Sequence, residues 1–134
     1  MAFINTFVFK PVFIKMRKVY YLKTCDTSRR IIKEMGDLLK GFDFQDIKEK
    51  PLDLKDLEIM KKLGGSYENI FSRRAKKYKE MGLKGMDLSE EDYKYYLLQE
   101  YTFLKRPVII VDDELFAGSS PKNVKALKSK LENL

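Results

Sequence analysis

Residues 19–32 run an apolar strand, Val19, Tyr20, Tyr21 and Leu22, directly into a helix start and place Cys25 at the junction. This strand-to-helix junction is the point around which the rest of the chain is organised. It points to chemistry. The first turn of a helix presents unpaired backbone N–H groups and a partial positive charge, which favour a thiolate over a thiol and favour a bound oxyanion. Thr27 or Ser28 suits the N-cap position, and Arg29 and Arg30 add positive charge close to the sulfur, with Asp26 opposing them. Two readings of Cys25 stand at this point: a reactive thiolate, or a small buried apolar residue, since free cysteine is among the most buried residue types.

The rest of the chain alternates helix and strand signals. A helix over residues 28–35 puts Ile31, Ile32 and Met35 inward and stops at Gly36, and Phe42, Phe44 and Ile47 alternate as a second strand. After Pro51, Asp53 caps a helix with Leu54, Leu57, Met60 and Leu63 on one face, ended by Gly64 and Gly65. Residues 66–83 keep a helical pattern, packing Tyr67, Ile70, Phe71, Tyr78 and Met81 and carrying Arg73 and Arg74. Ser89 and Asp92 resemble a capping box for a further helix, with Tyr93, Tyr96, Leu97, Tyr101 and Leu104 inward. The tyrosines are read as core packing and not as a platform for bases, because no nucleic-acid-binding motif accompanies them. Residues 108–111 form a β-branched run that Asp112 and Asp113 turn into residues 114–117, an antiparallel hairpin. Ser120 and Pro121 then open a last helix striped by Val124, Leu127 and Leu131.

Composition narrows the function classes. A chain of 134 residues with 44% hydrophobic content suits one domain. The net charge of +7 favours anionic partners, and the basic residues are interspersed with acidic ones as on a solvated surface. With no histidine and a single cysteine, a His/Cys zinc site, an imidazole base and an internal disulfide are all excluded, and no metal site is expected. Redox chemistry at Cys25 would need a partner thiol from another molecule, and a lone thiol suits a reducing cytoplasm. Residues 1–15 are apolar and aromatic but interrupted by Lys10 and Pro11. They lack the signature of a signal peptide and are too short to span a bilayer, so no membrane association is expected. They form either an N-terminal extension to the domain at 16–134 or carry an added strand over residues 7–14.

Residues 20–29, with a Cys-x-x-x-Arg core at Cys25 and Arg29, resemble the active-site opening of the arsenate reductase-like (ArsC/Spx) family. That family includes glutaredoxin-dependent arsenate reductases and Spx-type regulators. Arg106, Pro107 and the strand 108–111, followed by Gly118 and a final amphipathic helix, look like its late Arg-Pro strand and C-terminal helix, and residues 70–83 are similar to its central helix pair. The likeness extends over about residues 17–132 in the expected order. It implies a thioredoxin-like fold, βαβ and ββα halves around a mixed sheet, with a helical insertion at about residues 53–104 and a structural cis-proline at Pro107 facing the cysteine. It further implies a thiol-dependent oxidoreductase with Cys25 as the single nucleophile. The oxyanion would be held by Thr27, Ser28, Arg29, Arg73, Arg74 and Arg106, and no cofactor would be bound. Glutathione, or a glutaredoxin or thioredoxin, would serve as the external reductant. Where the reductases carry two further arginines this chain has Ser72 and Gly118, and Tyr21 and Lys23 replace other positions around the cysteine turn. The alternative implied by the same family is a regulator that binds RNA polymerase. Its usual two-cysteine switch is missing here, because Ser28 occupies the second position.

Overall fold

The computed structural model describes residues 15–134; the expected extension at 1–15, apart from Lys15, and the alternative strand at 7–14 lie outside the described residues. Four strands, β1 (Arg17–Tyr21), β2 (Asp43–Asp46), β3 (Val108–Val111) and β4 (Glu114–Ala117), form one sheet in the order β2-β1-β3-β4. β1 pairs in parallel with β2 and antiparallel with β3, and β3 pairs antiparallel with β4. The parallel pair needs a crossover, which α1 (Asp26–Met35) supplies. The order βαβ, then helices, then ββα is the mixed α/β arrangement that the sequence implied.

The central strand explains the layers. All four residues of β3 are fully buried, as a strand covered on both faces must be. Val108 and Ile110 join Tyr20, Leu22 and Ile47 against α2 (Leu54–Gly64), α3 (Tyr67–Ile70) and α5 (Glu90–Gln99). Ile109 and Val111 join Val19 on the other face, against Ile31 and Met35 of α1 and Leu127 and Leu131 of α6 (Pro121–Glu132). Each such buried side chain contributes about 1.5–3 kcal/mol. The hairpin closes in a two-residue turn at Asp112, whose φ of 58° is tolerated by a short polar side chain. Its carboxylate accepts from Arg17 Nε at 3.2 Å, tying the turn to β1.

Local capping follows the expected residues. Asp53 and Asp56 form a reciprocal capping box on α2, Ser89 and Asp92 do so on α5, and Ser120 caps α6 with Pro121 in its first turn. Three expectations are corrected. The N-cap of α1 is Cys25, not Thr27 or Ser28, because the chain turns tightly enough for Cys25 N–H to reach the Leu22 carbonyl at 3.0 Å. Residues 66–83 are not one helix. They break into α3 and α4 (Lys76–Glu80), because Phe71 pairs with Leu104 as an isolated β-bridge and Ser72 N–H donates to the Phe103 carbonyl at 2.7 Å. Tertiary pairing there outweighs helix propensity. Finally Leu54 and Met81 are exposed, while Leu63, Tyr96 and Tyr101 are only partly buried. Among the described residues no helix is long and apolar enough to cross a membrane.

Candidate active site

Cys25 sits where β1 ends and α1 begins, partly buried. Burial by itself pushes its thiol up. The backbone N–H and hydroxyl of Ser28, the Arg106 guanidinium and the Thr27 N–H outweigh that and hold the thiol below its usual range. The Ser28 hydroxyl explains part of this effect. It is fully buried and has no hydrogen-bond partner among the described residues, and the Cys25 side chain closes no cap hydrogen bond on α1. An ionised sulfur supplies the acceptor that this hydroxyl and the first N–H groups of α1 lack.

The turn carrying the sulfur is braced from β2. The Asp46 carboxylate accepts from Lys23 N–H at 3.1 Å and from Lys48 N–H at 2.8 Å, with a longer contact of 3.4 Å from Glu49 N–H. Burial works against its charge, but these backbone donors win and lower its pKa from the ordinary carboxylate value. Asp46 is not singled out from sequence. A carboxylate at the carboxyl end of a parallel strand, beside the turn that bears the nucleophile, is the signal that could have found it.

Cys25 opens into a cleft of about 550 Å³. Thr27 borders it from α1, Ser72, Arg73 and Arg74 from the insertion, Lys105 and Arg106 from the approach to β3, and residues 117–121 from the end of β4 and the start of α6. Four cations therefore line the cleft, and none of its lining residues is acidic. The pairing that broke the expected helix is what delivers two of them. Ser72 N–H to Phe103 and Lys105 N–H to the Ile70 carbonyl, at 2.9 Å, lock residues 70–72 beside 103–105, so Arg73 and Arg74 arrive next to Lys105 and Arg106.

The cations are not equivalent. Arg73 donates to Glu68 Oε2 at 2.6 Å and to the Tyr93 hydroxyl at 2.7 Å, and its guanidinium lies over the Tyr93 ring. The Glu68 hydrogen bond raises its already high pKa further, and that side of its fork is occupied. Arg74, Lys105 and Arg106 form no ion pair among the described residues. Of the carboxylates that could have tied up Arg106, Asp112 is bound to Arg17 and Asp26 to Arg29. Arg106 precedes a cis bond to Pro107, whose carbonyl accepts from Gly118 N–H at 2.9 Å.

Of the residues singled out from sequence, Cys25, Thr27, Arg73, Arg74 and Arg106 meet in the cleft. Ser28 lies behind the sulfur, not in the cleft wall, and acts on Cys25. Arg29 does not line the cleft. Its guanidinium is exposed and paired with Asp26. Lys105 was missed; its stem runs alongside Gly118, where the φ of 90° is what favours glycine. Among the described residues no group of three His, Cys, Asp or Glu side chains is placed to hold a metal ion.

The sequence matches the model of the ArsC family over residues 20–127. No curated protein matches it. The fold is similar to that of an arsenate reductase from Vibrio cholerae, 16% identical with a TM-score of 0.68, covering 83% of this chain and 98% of that one. A possible arsenate reductase from Streptococcus mutans is 23% identical with a TM-score of 0.66, covering 84% and 98%. An arsenate reductase (ArsC) related protein from Brucella melitensis is 22% identical with a TM-score of 0.61, covering 83% and 92%.

Proposed function

Because the chain belongs to the ArsC family, we propose that it is a thiol-dependent oxidoreductase in which Cys25 attacks an oxyanion held in the cationic cleft. The observation that carries this reading is the meeting of a thiol held below its usual range with Arg74, Lys105 and Arg106 in a cleft lined by no carboxylate. Arsenate is the substrate the family suggests. The Cys25 thiolate forms a bond to the pentavalent centre, and one oxygen leaves as water after protonation. A small thiol such as glutathione then attacks the Cys25 sulfur. The sulfur–arsenic bond breaks with its electron pair left on arsenic, giving the trivalent oxyanion and a mixed disulfide. A second thiol, from glutathione, a glutaredoxin or a thioredoxin, reduces that disulfide and restores Cys25. Two thiols are thus oxidised for each centre reduced. Arg106 would neutralise the oxyanion by its two-pronged guanidinium, and the Thr27 and Ser28 N–H groups would stabilise the thiolate.

The test is turnover of arsenate in an assay coupled to glutathione, glutaredoxin and a disulfide reductase. Arg106→Lys keeps the charge and loses the fork, so turnover is expected to fall about ten- to a hundredfold with the fold intact. Unchanged turnover would place the anion elsewhere.

A second reading draws on Ser28 and Gly118, which stand where the switch cysteine and a late arginine of other family branches would be. In it the chain is a regulator that docks on RNA polymerase in the cytoplasm without a redox switch. No arsenate turnover by the wild type, together with stoichiometric binding to purified RNA polymerase, would favour it.

A further inference from the structure

A second concavity, of about 420 Å³, lies between α1 and α6 and shares Ser119 and Pro121 with the cleft of Cys25. Arg30 and Glu34 border it from α1, and Lys125 and Lys128 from α6, with the partly buried Val124 and the exposed Pro121 as its apolar lining. Arg30, Lys125 and Lys128 are exposed and form no ion pair among the described residues. Together with Arg74, Lys105 and Arg106 they line the two concavities, where Glu34 is the one carboxylate among the lining residues.

Like charges kept unpaired around a concavity cost stability, and ion pairs with nearby carboxylates would have relieved that cost. The position of the groove limits what it would bind. It meets the cysteine cleft at Ser119 and Pro121, so an occupant that fills it reaches the rim of that cleft. The exposed large apolar side chains, among them Phe44, Leu54, Met86 and Tyr95, do not line the groove, so it has neither a lipid-inserting edge nor an aromatic platform for bases.

We propose that the groove between α1 and α6 is the docking surface for an acidic segment of a protein partner, whose own sulfur is thereby delivered to Cys25. The proposal rests on the thiol reading above and assigns the electron-donor side of it: oxyanion in the cleft, partner along the groove. The exchange it serves is balanced within itself. The partner's thiolate attacks the mixed disulfide on Cys25, a new disulfide forms on the partner's sulfur, and Cys25 leaves as thiolate.

The test uses an oligo-glutamate peptide ending in a cysteine that is disulfide-linked to thionitrobenzoate, beside a glycine-serine peptide with the same end. Attack by the Cys25 thiolate joins the peptide to the protein and releases coloured thionitrobenzoate. The acidic peptide is expected to react roughly tenfold faster at low salt, with the advantage lost as salt is raised. Lys125→Glu with Lys128→Glu should bring it down to the rate of the neutral peptide, whose own rate stays unchanged. Equal rates for the two peptides, or an advantage that survives the double reversal, would overturn the proposal. Binding is read separately by fluorescence anisotropy with a labelled oligo-glutamate that has no cysteine. Lys125- and Lys128-dependent binding without exchange would sink the thiol reading and leave the docking surface standing. No binding would sink the docking surface alone. Displacement of the peptide by single-stranded DNA or by phosphatidylserine vesicles at lower charge concentration would overturn it in favour of those ligands.

Discussion

Replacing Asp46 with Asn tests how the cysteine turn is held. The Asp46 side chain is buried at 9% exposure and accepts two well-formed backbone hydrogen bonds, from Lys23 and Lys48, plus the longer one from Glu49. The amide keeps one acceptor oxygen and turns an NH₂ toward the other donor, so about one charge-assisted bond is lost and one N–H is left facing a donor. A hydrogen bond to a charged group is worth about 1.5–3 kcal/mol net, so the expected loss is roughly 2 kcal/mol at pH 7, or about 8 °C in Tm for a chain of this size. The pH dependence gives the sign. The folded pKa of Asp46 is lowered, so its contribution is present above the unfolded carboxylate value of about 3.9 and is lost as pH falls through the folded one. Denaturation of both proteins at pH 7 and near pH 3 should show the gap closing in acid. A gap of equal size at both pH values would mean that the carboxylate charge is not what braces the turn.

The alkylation rate of Cys25 should reach half its plateau below the free-cysteine value of about 8.5, and Arg106→Gln should move that midpoint up; a midpoint at or above 8.5 in the wild type would remove the activated thiolate. Ser28→Ala should also raise the midpoint while costing little stability, because the hydroxyl it removes is buried and unpartnered; a large loss of Tm would show that the hydroxyl bonds elsewhere. Leu127→Ala, in the cluster under α6, should cost about 2–5 kcal/mol by urea denaturation, and a smaller loss would mean that α6 is not packed as described.

The elements that sequence revealed are those whose signals are local. The strand into Cys25, the Asp53 and Ser89 caps and the Ser120-Pro121 helix start each depend on residues within one turn, and each stands where its signal lies. The family likeness added the cis bond at Pro107, which nothing local would have revealed. What stayed hidden depends on distant partners. The break of the helical pattern after Ile70 is imposed by residues 103–105, more than thirty positions away, and the same pairing makes Lys105 part of the cleft. Arg73 and Arg74 are neighbours of one residue type, yet Glu68 and Tyr93 occupy one and leave the other open. Identical letters acquire different chemistry through contacts that periodicity does not encode.

The division between sheet and insertion accounts for how a cationic cleft can exist without collapsing into ion pairs. The sulfur is placed by β1, β2 and α1, whose positions are set by the buried sheet and the Asp46 brace. The cations come from the insertion and the approach to β3, which are locked to one another through backbone hydrogen bonds rather than through their side chains. Nearby carboxylates are occupied elsewhere: Asp26 with Arg29, Asp112 with Arg17, Glu68 with Arg73, and Glu90 with the N–H groups of Tyr67 and Glu68. Backbone locking thus holds Arg74, Lys105 and Arg106 near Cys25 against their mutual repulsion, and solvent at the open cleft screens that repulsion. Positive charge fixed in this way is preorganised for an arriving anion, because no ion pair has to break before it binds.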